Sequence, residues 1–65
     1  MDNTTAKMVA DAYDETVSEA IAQGRPADTA HREGITAAAM FLASMTGAED
    51  GAARTEVEAL GLSPH

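Results

Sequence analysis

The chain has 65 residues, no cysteine and a formal net charge of −7. Disulfide-stapled secreted scaffolds and cysteine-based zinc sites are therefore excluded. With 4 Lys and Arg against 11 Asp and Glu, there is little to neutralise phosphate groups, so direct binding to nucleic acid or to an anionic membrane surface is not expected.

The chain reads as helical from its start. "MDNTTAK" is polar and lacks the basic-then-apolar pattern of a signal peptide, and a cytoplasmic location is expected. Asn3 or Thr4 is suited to accept a hydrogen bond from the first free N–H groups of a helix. From there Ala6, Val9, Ala10, Tyr13, Val17, Ala20 and Ile21 recur at spacings of three and four, which makes one apolar stripe. Gly24 is placed to end this helix in a left-handed cap, and Pro26 suits the opening of the next.

The second helix is expected from about Pro26 or Asp28 to Thr46. Asp28 serves either as its N-cap or as an acid in its first turn, and Asp28 with Arg32 is a favourable i,i+4 pair. Beyond Gly34 the pattern is apolar nearly all round: Ile35, Ala38, Leu42 and Met45 make one face, Ala37, Phe41 and Ser44 lie beside it, and Met40 points elsewhere. The run Ile35 to Met45 is shorter than the roughly 20 residues a bilayer demands, so no membrane span is expected. One neighbouring helix and a short third one would not cover such a surface, and a second subunit would. The large apolar side chains are few for a small domain that has no staple, which points the same way.

The third helix is short, from about Glu49 or Gly51 to Leu60. Thr46 and Glu49 have capping-box spacing, although Gly47 competes as the C-cap of the preceding helix. At its far end Gly61, with Val57 and Leu62, has the make-up of a Schellman cap, and Ser63-Pro64 stops the helix. The prediction is an all-α fold in a single domain over residues 1–65. A helical hairpin (helices about 4–23 and 27–46) is followed by a short third helix (about 49–60) across one end, and two copies assemble a four-helix core as a homodimer.

Three constellations are candidates for function. Asp11, Glu15 and Glu19 are spaced i, i+4, i+8 with Asp14 beside them. Like charges at this spacing destabilise a helix, and a basic protein partner or a cation would relieve them; a solvated face of an acidic protein is the plainer alternative. Ala30, Gly34 and Ala38 are small residues at the same spacing, and Gly34 within a helix calls for a packing reason. Gly34, Ala38, Met40, Phe41, Leu42 and Met45 form the expected self-association surface, with ordinary packing against the first helix as the alternative. Asp28 and His31, three apart, resemble the carboxylate–imidazole spacing of metal sites in helical bundles, but no second such pair exists and a cap beside a boundary histidine explains them as well.

There is no cysteine nucleophile, glycine-rich phosphate loop or Gly-x-Ser-x-Gly elbow; Ser18 and Ser44 lack a nearby histidine in sequence, and His65, two residues beyond Ser63, is terminal. The expected function is that of a small acidic, self-associating, non-enzymatic protein acting by protein–protein interaction as an adaptor or regulator, with no cofactor. The alternatives are an acidic inhibitor of a basic nucleic-acid-binding protein, of the kind phages and mobile elements encode against host defences, and a metal-binding bundle using Asp28, His31 and the carboxylates of the first helix.

Overall fold

In the computed structural model, residues 1–64 are described. They form α1 (Asn3–Ala22), α2 (Ala27–Thr46) and α3 (Asp50–Glu58), with no strand among the described residues. The α1–α2 pair is an antiparallel hairpin and α3 packs on α2, with a radius of gyration of 11.1 Å, near the roughly 11 Å of a compact chain this long.

The helix ends show which local signals prevail. The N-cap of α1 is Asp2, one residue ahead of the expected Asn3 or Thr4: its carboxylate accepts from the Thr5 N–H at 2.7 Å. That bond holds the Asp2 carboxyl below its ordinary value, because it favours the charged form. At the other end of α1 the Gly24 N–H donates to the Ile21 carbonyl (2.9 Å) and the Arg25 N–H to the Ala20 carbonyl (3.0 Å), which completes a Schellman motif. Gly24 has φ +88°, a conformation most side chains resist, so the reversal into α2 depends on this glycine.

Pro26 is the N-cap of α2, and Asp28 lies in the first turn, where its carboxylate accepts from the Thr29 N–H at 2.9 Å. Asp28 and Arg32 do not pair; the ion pair formed nearby is Arg25–Glu33, at 3.2 Å. Nor does the Thr46–Glu49 capping box form. Thr46 is the last residue of α2 and its hydroxyl donates back to the Leu42 carbonyl (2.9 Å), while Glu49, the N-cap of α3, makes no side-chain cap bond. The C-terminal helix stops at Glu58, two residues short of expectation, in a tightened turn closed by the Gly61 N–H on the Glu58 carbonyl (3.2 Å).

The core joins all three helices. Val9, Tyr13, Val17 and Ala20 of α1 meet Ala30, Gly34, Ile35, Ala38, Ala39 and Leu42 of α2, and Ala53 and Val57 of α3 close the other side. Leu62, beyond α3, packs on the same cluster. The chain then continues back along α2, so that Ser63 and Pro64 border one groove with Ala27, Asp28, His31 and Arg32. The third element thus lies along α2 and reaches its first turn, instead of crossing one end of the hairpin.

This arrangement changes the reading of the apolar run in α2. Gly34, Ala38 and Leu42, expected on a surface shared with another chain, are buried within this one. An added Cβ on Gly34 would stand 2.7 Å from both the Tyr13 ring and a Val17 methyl. The glycine is therefore explained by close approach of α1. Of the six expected seam residues, Met40 and Met45 are exposed and Phe41 is half-buried. Most of what resembled a surplus of apolar area is covered by α1, α3 and Leu62.

Candidate functional site

Three features carry chemistry: a polar pair at the hairpin seam, the acidic side of α1, and two exposed arginines where α2 meets α3.

The seam pair was not legible in the sequence. Tyr13 is fully buried on the inner face of α1, and its hydroxyl is 2.6 Å from Nδ1 of His31 on α2, with the two rings edge to face. Burial pushes the phenol above its ordinary value, and the Asp14 carboxylate adds to the shift. The tautomer of His31 sets the direction of this bond: the phenol donates to Nδ1 when the imidazole proton is on Nε2, and accepts from Nδ1–H when it is not. A buried tyrosine needs a partner for its O–H. That requirement was the available sequence signal, but the partner is 18 residues away and only the hairpin brings it near.

The same bond bears on the metal reading. His31 Nδ1 is engaged by Tyr13, and the Asp28 carboxylate accepts from the backbone of its own helix. Among the described residues no three His, Cys, Asp or Glu side chains converge in a way that could hold a metal ion, so the structure offers Asp28 and His31 no third donor from α1. His65 lies outside the described residues.

Asp11, Glu15 and Glu19 are exposed on the side of α1 away from Val9, Tyr13, Val17 and Ala20, and Asp14 is half-buried at the edge of this face. Glu19 accepts a long hydrogen bond from the Gln23 side-chain amide (3.4 Å). An open groove borders Asp14, Glu15, Ser18 and Glu19. The structure therefore brings the four expected ridge residues to one side of one helix, three of them facing outward.

On the other side of the molecule Arg54 Nη2 donates to Thr36 Oγ1 at 2.9 Å, which ties α3 to α2. Thr36 in turn donates to the Arg32 carbonyl (3.0 Å), and Arg32 borders the same groove as Thr36. Arg25 is occupied elsewhere, by Glu33 and the side chain of Gln23. No helix among the described residues is long and apolar enough to cross a membrane. No protein-family model, curated protein or solved structure matches the chain.

Proposed function

We propose that this chain is a small acidic, non-enzymatic helical protein that works by contact with another protein, as an adaptor or regulator, through the outer face of α1. The observation that carries this reading is the exposure of Asp11, Glu15 and Glu19 on one side of a helix whose opposite side is fully committed to the core. Each i,i+4 pair of like charges costs a helix about 0.2–0.5 kcal/mol. Among the described residues no cation forms an ion pair with these three carboxylates. A basic surface on a partner would remove that cost and supply charge-assisted hydrogen bonds, and the net charge of −7 would steer such a partner inward at low ionic strength.

The test is a comparison of wild type with the double variant Asp11→Lys, Glu15→Lys. Both positions are exposed, so helicity by circular dichroism should be unchanged. Immobilised wild type should retain a basic protein from an extract of the source cells, and the double variant should lose it. Equal retention by the two proteins would return the acidic face to a role in solubility alone.

A further inference from the structure

Among the described residues neither Arg32 nor Arg54 forms an ion pair with a carboxylate. Both are exposed, and both are tied to Thr36: Arg54 through its guanidinium and Arg32 through its carbonyl. Among the described residues Arg25–Glu33 is the ion pair that forms, in a chain with 11 acidic residues. Arg32 also walls an open groove of about 310 Å³ that runs along α2 past Glu33, Thr36 and Ala37 to Met40. Met40 is 65% exposed, more than any other large apolar side chain described. The flank thus combines two cations with an uncovered thioether.

The outer face of α1 has the complementary composition. Met8, 42% exposed, precedes Asp11, Glu15 and Glu19 at spacings of three, four and four, which puts all four on one side of the helix. The lengths also agree. From Met8, Asp11 is about 4.5 Å and Glu15 about 10 Å along the axis; from Met40, Thr36 is about 6 Å and Arg32 about 12 Å. Laid antiparallel, Met8 falls on Met40, Asp11 comes opposite Thr36 and its Arg54, and Glu15 comes opposite Arg32. Lys7 sits at the head of the acidic stripe and Glu33 in the groove pairs with Arg25, while Asp28 stands four residues from Arg32, and Asp50 and Glu58 four residues from Arg54, without an ion pair forming among the described residues.

We propose that the α2 groove between Arg32 and Met40 is the docking site for the outer α1 face of a second copy of this chain. The inference rests on the reading of that α1 face as a contact surface and names what it contacts. Ridge and groove are different surfaces, so the contact is heterologous and each copy offers one of each. Thioethers adapt readily to one another, and the flanking ion pairs set the register. Self-association then uses Met40 but not Gly34, Ala38 or Leu42, which are spent on the chain's own core.

Sedimentation velocity at micromolar concentration and low salt tests this. Wild type should show a species heavier than one chain that dissociates as salt is raised. Arg32→Glu with Arg54→Glu, and separately Asp11→Arg with Glu15→Arg, should each run as one chain with unchanged helicity. An equimolar mixture of the two variants should recover the heavier species, because each then supplies the charge the other has lost. Wild type at one-chain mass throughout overturns the proposal, as does a heavier species that persists in both variants. An oligo-arginine peptide separates this failure from that of the broader reading. A one-chain protein that binds the peptide, and loses it on Asp11→Arg with Glu15→Arg, removes the self-contact and keeps the acidic face as a surface for another protein. Neither peptide binding nor a heavier species overturns both.

Discussion

Two helical glycines mark the contrast between the inside and the outside of this molecule. Gly34 sits in the middle of α2 against Tyr13 and Val17, where a Cβ would come within 2.7 Å of each. Gly51 sits in the first turn of α3, where a Cβ would meet nothing within 4 Å. The same residue type is a packing requirement at the first position and a small helical defect at the second. The lesson extends to the elements around them. The α1–α2 seam is defined by close approach, so its residues have little freedom to change. The α2–α3 flank rests on Ala53, Val57 and one arginine–threonine bond, so it keeps its outer side chains available for contact.

The contrast can be broken most directly at Gly34. Gly34→Ala gains up to about 1 kcal/mol of helix propensity, but forcing a methyl into a filled seam typically costs about 1–3 kcal/mol. The neighbours here are a ring and a branched side chain, neither of which yields easily, so we expect a net loss of about 1–2 kcal/mol. In a domain of this size that lowers Tm by about 4–8 °C per kcal/mol. A thermal melt at or above the wild-type midpoint would show that the seam is not tight.

The next effect concerns the polar pair within that seam. Tyr13→Phe removes the hydroxyl and leaves His31 Nδ1 without its partner, at a cost of about 1 kcal/mol. It should also change the alkaline limb of the stability profile. The unfolded phenol ionises near 10.0, whereas the buried one is raised above that. The contribution is therefore fully present below pH 10.0 and is lost as pH rises through the folded value, since the unfolded chain releases a proton the folded chain retains. As the chain has 1 tyrosine, phenolate absorbance during unfolding reports this residue alone. The alkaline decline should be shallower in Tyr13→Phe, and equal slopes would mean that the phenol is not protected.

The smallest effect lies on the open side. Gly51→Ala should stabilise by up to about 1 kcal/mol, because it adds helix propensity and touches nothing. A denaturant midpoint that rises for Gly51→Ala and falls for Gly34→Ala would place the difference in the surroundings of the two glycines. Two shifts of the same sign would remove the contrast.

Much of the helical layout was legible in the residues. The three-and-four spacing of Val9, Tyr13 and Val17, the Gly24-Arg25-Pro26 break and the Gly47 stop are all local signals, and local hydrogen bonds realise them. The misplacements were local too. Asp2 outcompetes Asn3 and Thr4 because a carboxylate is the stronger acceptor for the Thr5 N–H, and Thr46 bonds backward to Leu42 because it still belongs to α2. The four acidic residues of α1 could be placed on one side of the helix from spacing alone, since a helix fixes the direction of each side chain once its core stripe is known.

What covers α2 could not be read in the same way. Periodicity shows that a face must be buried but is silent on whether the same chain or another does it. Here α1 comes close enough over Gly34, and α3 with Leu62 reaches far enough along the opposite flank, to bury Ala30, Ile35, Ala38 and Leu42 within one chain. The pairing of Tyr13 with His31, and of Arg54 with Thr36, likewise joins residues 18 apart on different helices. By itself, then, the sequence determined an acidic chain of three helices and the side of α1 on which its carboxylates stand, because helix geometry and charge are local properties. The tertiary structure alone decided which apolar residues are consumed by the core and which, with Met40, Arg32 and Arg54, are left facing outward, because burial depends on how closely helices distant in sequence approach one another.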